Sequence, residues 1–570
     1  MKRLYKFWTL FSVLLLSVGL FSCKGEKKEI VRGTAEGFKG PIEIELMLKD
    51  GKIVDGRVVA TDESDFAKPT IDTIIEQAVK NGNADKLDTV SGATFTSKAT
   101  IAAIKAAVDS AKNSKNANDA AGLQDLTCDV VVVGAGGAGL SAAIAARNEG
   151  ANVIVLEKMG IAGGNTNYAT GGLNAAETSV QKALNISDTV EQFYEDTMKG
   201  GKNRNNPDLV KTLTEKSAET VDWLIGLGVD LSDVGKLGGA KNPRAHRPEG
   251  GGAVGSHFVS VMLHKAVSDL GIKILYKARV TGILKDGNSP SGVCVSSPDG
   301  DFTVKAKAVI IATGGFAANP DMIVSYNPKL AGFGTTNHAG ATGDAFAWVT
   351  PFNAALIDMD QIQTHPTVIP VKNIMITEAV RGNGAILVNR EGKRFVQELS
   401  TRDVVSEATL KQSGKTAFLL FDQGVRDSLK AIDGYAKKGL LTEAQTIADL
   451  AKALSIPAEN LENTVSAYNR FADEGKDPDF AREAPLQKLE KAPFYAVEVG
   501  PAVHHTMGGL AINTNAEVLD TNGNVIKGLY AAGEVTGGVH GANRLGGNAM
   551  ADIAIFGKIA GTNAAKYVKQ

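Results

Sequence analysis

Residues 364 to 403 read THPTVIPVKNIMITEAVRGNGAILVNREGKRFVQELSTRD and bring His365, Thr377, Glu378, Arg381 and Arg402 into one segment. Cations and hydrogen-bond donors at this density suit a ligand that carries carboxylates. An arginine set close to acids is also a candidate proton donor. The segment lies downstream of a glycine-rich dinucleotide fingerprint. A redox cofactor beside a carboxylate clamp points to the reduction of a small unsaturated acid.

The fingerprint is GAGGAG at 134–139, between an apolar run and a helical pattern. Gly134 permits the tight turn, Gly136 lets backbone N–H groups approach a pyrophosphate, and Gly139 lets helix and strand pack closely. Glu157 ends the next apolar run, 18 residues past Gly139, where an acid would bind adenosine ribose hydroxyls. NAD and FAD both satisfy that motif taken alone. Three further loops, Gly163-Gly164-Asn165-Thr166, Ala312-Thr313-Gly314-Gly315 and Ala532-Gly533-Glu534, resemble the additional contacts of large FAD enzymes. Residues 544–557, RLGGNAMADIAIFG, read as a helix containing Asn548 whose positive end would face the flavin ring. The cofactor expected here is non-covalent FAD.

Several elements must position these groups. Strands separated by helices from residue 127 onward imply an α/β, doubly wound parallel sheet. Residues 361–490 carry the clamp segment and several polar helices, and read as an inserted α+β capping domain. The FAD-binding domain is thereby divided into 127–360 and 491–570. Ahead of it, residues 30–112 read as a small α+β domain. IEIELMLKDGKIVDGRVVA alternates apolar and polar residues about Asp50-Gly51, a hairpin signal, and ATIAAIKAAVDSAK has helical spacing. Residues 113–126, rich in Asn, Ala and Asp, read as a linker.

The N-terminus reads as a targeting segment, 1–22. Lys2, Arg3 and Lys6 precede a mostly apolar run of 15 residues, Phe7 to Phe21, shorter than the roughly 20 needed to span a bilayer. Leu20-Phe21-Ser22-Cys23 resembles a bacterial lipobox with Cys23 as the lipidated residue, and 23–29 as a solvated tether. The expected location is the exported side, periplasmic or cell-surface, on a lipid anchor in the membrane. A net charge of −2 over 570 residues gives no broad basic surface for nucleic acid. Cys128 and Cys294 imply no disulfide framework, no CxxCH haem site occurs, and no cysteine cluster could hold an iron–sulfur centre. No metal site is expected, so electrons need another carrier.

From about residue 127 to the end the chain resembles the soluble fumarate reductase flavoprotein family, akin to the flavocytochrome c and succinate dehydrogenase flavoproteins. GAGGAG, ATGG, THPT, TEAVRGNGAILVN, TRD, His504-His505 and GANRLGGNAM carry the resemblance. It implies that His365 and Thr377 hold one substrate carboxylate, and that His504 and Arg544 hold the other. It implies Arg402 as general acid, with Glu378 and Arg381 as the proton relay feeding it. Asp403 joins Glu378 as a group expected to reprotonate Arg402, while His505 and His540 stay unassigned. Both clamps keep the dicarboxylate pattern, which favours fumarate over a urocanate, acrylate or cinnamate type of 2-enoate.

The N-terminal domain carries a second resemblance. Asp88-Thr89-Val90-Ser91-Gly92-Ala93-Thr94, followed by Phe95-Thr96-Ser97, resembles the flavinylation motif of FMN-binding domains in sodium-pumping and Rnf-type electron-transfer subunits. It implies FMN bound covalently through its phosphate to Thr94, with Thr96 as the alternative acceptor. The bland reading is a Ser/Thr helix cap. Electrons would then pass from a quinol-linked membrane protein or another flavoprotein to FMN, to FAD, to a small dicarboxylate. A pure electron carrier and a dicarboxylate sensor are the rival classes.

Overall fold

The computed structural model describes residues 28–36, 41–49, 51–61, 68–90, 94–118, 125–482 and 486–570. The expected targeting segment, Cys23 and Ser91-Gly92-Ala93 lie outside the described residues. The chain divides into two compact units, 1–122 and 123–570.

In the first unit, strands β1 (Lys28–Glu36), β2 (Pro41–Lys49) and β3 (Lys52–Thr61) form an antiparallel sheet in the order β1-β2-β3. Lys49 pairs with Lys52, and Gly51 in the connection takes φ +79°, while Asp50 lies outside the described residues. Helices α1 (Lys68–Asn81) and α2 (Thr94–Asn118) complete the unit. Ile42, Ile44 and Leu46 alternate inward along β2, and Ile71, Ile74, Ala103 and Ile104 join them in one core. Helix α2 runs to Asn118, so the first half of the segment expected as a linker is helical. The reason is local: no Gly or Pro interrupts 94–118, and Ala and Lys are good helix formers.

The second unit begins with β4 (Leu126–Val133), α3 (Gly137–Asn148) and β5 (Val153–Leu156). Strands β6 (Lys273–Leu275) and β7 (Gly300–Ile311) extend the sheet. Across residues 361–500 lie β8 (Ile362–Ile369), α4 (Arg402–Leu410), β9 (Ala417–Asp422) and β10 (Phe494–Thr506). The chain ends with β11 (Val525–Ala531) and α5 (Asn548–Tyr567).

Strands β6, β5, β4, β7 and β11 are parallel neighbours in that order. Their buried runs, such as Val130 to Val133 and Val309 to Ile311, are what a sheet covered on both faces requires. Their carboxyl ends deliver Gly134, Glu157, Ala312 and Ala532 to one edge. A second core, from Ile376 to Val499, fills the clamp. Strand β10 serves both cores: Phe494 to Val499 pack in the clamp, and Val503 packs in the cofactor core. The second core thus continues along β10 as far as Val499.

Helix α5 lies against α3 at close range. A Cβ on Gly561 would come within 2.0 Å of Ala142 O, and one on Gly557 within 2.6 Å of Ala138 O. Gly561→Val should therefore destabilise the protein by at least about 2 kcal/mol through overpacking against backbone. Chemical denaturation of the variant checks this; an unchanged midpoint would contradict the packing.

Candidate active site

The cofactor cleft is built by turns at the strand ends. Gly134 takes φ +105°, and a Cβ there would strike Ala312 O at 2.4 Å. Gly139 has no room for a side chain, since Gly134 O lies 1.9 Å from its would-be Cβ. Gly136 faces outward, with Gly163 O at 3.7 Å as the nearest atom to its would-be Cβ. Gly164 and Gly314 have nothing within 4 Å of theirs. These open glycines, together with Glu157, Asn165 and Glu534, line one cleft. A backbone stripped of Cβ atoms along a cleft at a helix N-terminus fits an extended dinucleotide with its pyrophosphate.

Glu157 accepts the Ala135 N–H at 2.9 Å and the Met159 N–H at 2.8 Å, so it fixes the turn and still presents lone pairs to the cleft. Thr166 accepts the Gly137 N–H at 3.1 Å and braces its loop to the fingerprint. Asn165 accepts the His338 N–H at 2.6 Å. Burial raises the Glu534 carboxyl, against the Thr506 N–H it accepts at 3.0 Å. Two expected cofactor residues stand elsewhere. Gly315 faces Thr506 and Glu534, where a Cβ would meet Thr506 Oγ1 at 2.0 Å, and it is Gly314 that lines the cleft. Asn548 is buried, accepts from Asn174 at 2.7 Å and donates to Thr197 at 3.1 Å, which anchors the start of α5.

A buried cluster of histidines and arginines lies along β10, whose His504 joins it while Thr506 holds Glu534 of the cleft. β8 carries His365, fully buried, whose Nδ1 accepts the Thr367 N–H at 3.3 Å. Its Nε2 has no partner among the described residues. The His365 and His504 rings meet edge-on, with centroids 5.0 Å apart. Thr336 Oγ1 lies 2.7 Å from His504 Nδ1 and sets that ring. Thr377 receives a hydrogen bond from the Thr170 hydroxyl at 3.1 Å and donates its N–H to the Tyr435 hydroxyl at 3.0 Å.

Arg402 opens α4 and is mostly buried. Its Nε and Nη2 donate to Glu378 Oε2 at 2.9 and 2.7 Å, and its Nη1 donates to Gln363 at 3.2 Å. Room for Glu378 comes from Gly238, where a Cβ would sit 2.4 Å from Oε1. Arg381 is fully buried on the short helix Ala379–Gly382 and donates to Glu398 O at 2.6 Å. Its Nε and Nη2 have no partner among the described residues, and it makes no hydrogen bond to Glu378. Arg544 donates to Leu545 O at 2.9 Å and to Gln363 at 3.1 Å. Asp403 departs from expectation: it pairs with Lys202 at 2.6 Å and not with Arg402. His540 binds Asp552 at 3.1 Å, away from the clamp.

The electrostatics follow from three guanidiniums gathered about Glu378, with Glu398 also acting on Arg381 and Glu534 and Asp552 on Arg544. Burial, reinforced by Arg402, Arg381 and Arg544, drives His365 far below the ordinary imidazole value. Burial and Arg402 do the same to His504. Both rings are therefore neutral at pH 7 and serve as neutral hydrogen-bonding groups. Burial opposes ionisation of Glu378, yet Arg402 and Arg381 outweigh it and hold the carboxyl below its usual range. Burial, with Arg402 nearby, lowers Arg544 to about 9. An excess of buried positive charge is the complement of a dianion. Gln363, Thr170, Thr336, Tyr435 and Gly238 were not among the residues expected from sequence. The signal for Gln363 was its spacing of two from His365 on one strand.

Fold and site together define a dinucleotide-binding protein with a buried cluster of arginines and histidines. The FAD binding domain family matches residues 129–550, and the FMN-binding domain family matches residues 37–109. The chain belongs to the FAD-binding flavoprotein family that includes the flavocytochrome fumarate reductases, and it carries an FMN-binding domain ahead of that part. It is 51% identical over 446 residues to fumarate reductase (cytochrome) of Shewanella frigidimarina, covering 78% of each chain. It is 41% identical over 542 residues to NADH:fumarate oxidoreductase of Klebsiella pneumoniae, which is 94% of this chain and 58% of that protein. An open conformation of a flavocytochrome c3 fumarate reductase matches with a TM-score of 0.68 at 43% identity, covering 81% of each chain.

Arg544 gives the pocket a pH signature. The Arg544 guanidinium is protonated below about 9 in the free protein and loses its charge above it, so a dianion held against it would be released there. Affinity for a dicarboxylate should be flat between neutrality and that point, then fall about tenfold per pH unit. Calorimetric titration with succinate across pH checks this, and Arg544→Gln should bind weakly without the alkaline limb.

Proposed function

We propose that this chain is a fumarate reductase that draws electrons through its FMN-binding domain. The observation that carries the reading is the pocket itself. Arg381, Arg402 and Arg544 gather about Glu378, and the buried His365 Nε2 has no partner among the described residues. Arg544 and His504 hold one carboxylate of the substrate, and His365 and Thr377 hold the other. FAD, held along Gly136, Gly164, Asn165, Gly314, Glu157 and Glu534, supplies the hydride when reduced.

Arg402 donates the proton to the second alkene carbon. A free guanidinium, with a pKa near ~13, is a weak acid, but the hydride adduct of fumarate has carbanion character and is far more basic. Clamping both carboxylates withdraws charge from that carbon as the adduct forms, so the clamp acts mainly in the transition state. Glu378, bonded to Arg402 through two N–H groups, returns the proton. Arg381 lies within electrostatic reach of both and completes the relay. A reductase of another 2-enoate would need only one clamp; retention of His365 with Thr377 favours the diacid.

The remaining parts of the reading concern assembly. The FAD-binding part is doubly wound, residues 361–490 cap it, and 113–126 join it to an FMN domain at 30–112. FMN is bound by phosphoester to Thr94, which opens α2. Residues 1–22 direct export, and a lipid on Cys23 anchors the protein beside a membrane-bound or flavoprotein donor.

With reduced viologen as donor, fumarate should be turned over faster than urocanate, acrylate or cinnamate; a reversed order would replace the substrate. Arg402→Ala should lower kcat roughly 10²- to 10⁴-fold while FAD reduction persists, and unchanged turnover would favour an electron carrier. Thr94→Ala should abolish flavin fluorescence on a denaturing gel with FAD still extractable. Persisting fluorescence would move the attachment to Thr96.

A further inference from the structure

Gln363 is the second residue of β8, two positions before His365, so the pleat sends both side chains to one face. It is 3% exposed. Its Oε1 accepts from Arg402 Nη1 at 3.2 Å and from Arg544 Nη2 at 3.1 Å. Its Nε2 donates to Asn543 Oδ1 at 2.6 Å and to Arg544 O at 2.8 Å. Both lone pairs and both N–H groups of the amide are in use, so its orientation is fixed.

The two guanidiniums come from distant parts of the chain and meet on one oxygen. Arg402 stands on α4 of the clamp, and Arg544 stands in the loop before α5 of the cofactor part. They repel, and Glu378 is hydrogen-bonded to Arg402 and not to Arg544. A neutral amide oxygen between them gives each an acceptor without cancelling the positive excess that a dianion needs. A carboxylate in the same place would bind both arginines more strongly. It would also remove one unit of that excess and compete for the Arg402 proton.

We propose that Gln363 is a positioning residue that sets the spacing of Arg402 and Arg544, and so aims the proton donor at a clamped diacid. The proposal rests on the fumarate reading above. It separates geometry from charge, because one substitution can disturb each alone.

The test uses the full chain loaded with both flavins. Gln363→Met keeps volume and charge but removes the shared acceptor. Its kcat should fall roughly 10²-fold, as for a misplaced donor, with KM and the succinate Kd, read from flavin absorbance, rising far less because Arg544 keeps its bond to Leu545 O. Gln363→Glu keeps the acceptor and adds charge. Its KM and succinate Kd should rise about tenfold or more, with a smaller loss in kcat. Flavin content and melting temperature are measured first; if the Met variant loses FAD, Gln363→Asn, which withdraws the oxygen by one methylene, takes its place. Variants that match wild type, or that lose kcat and KM in the same proportion, would overturn the proposal. A wild type inactive on fumarate would instead strike the fumarate reading.

Discussion

Like charges crowded into a dry pocket are the constraint on which this structure turns. Arg381, Arg402 and Arg544 are each largely or fully buried, and among them only Arg402 is paired with a carboxylate by hydrogen bonds. Such an arrangement is costly for a folded chain. It is held by neutral partners: the carbonyls of Glu398 and Leu545, and the amide of Gln363. On the function proposed above, that unspent positive charge would draw a diacid, whose two carboxylates would relieve what the fold alone sustains.

The rest of the architecture serves that pocket. The parallel sheet brings its carboxyl edges together, and the glycine turns keep that edge free of side chains where a cofactor would lie. β8 and α4 carry His365 and Arg402 to the cluster, and the loop before α5 carries Arg544. A second buried network, in which Glu398 binds Arg394 and Arg482 and Asp477 binds Arg394, stiffens the clamp behind Arg381. Arg482 also donates to Arg381 O, which ties that network to the short helix carrying the expected relay residue.

Much of this was legible in the sequence because the motifs have local causes. A glycine turn between a strand and a helix constrains its own geometry, and the Thr364–Asp403 segment gathers its charges within one stretch of chain. What was not legible depends on distant packing. Gly315 and Asn548 sit in motifs that face the cofactor, yet their own surroundings are Thr506 with Glu534, and Asn174 with Thr197. Asp403 follows Arg402 in sequence but turns to Lys202, because adjacent residues on a helix point in different directions. The helix through Asn118 outran a boundary drawn on composition, since Asn and Lys do not by themselves stop a helix.

Strand β10 has a consequence of its own. Its first half is knitted into the clamp through β9, and its second half is knitted to β8 and then passes into the cofactor core. The two bodies thus share a ladder as well as a covalent connection, and neither can melt without fraying the other. Occupancy at one end is then felt as rigidity at the other: a cofactor that tightens the sheet edge also tightens the wall carrying His365. Any coupling between cofactor and acid would have one continuous piece of backbone to run through.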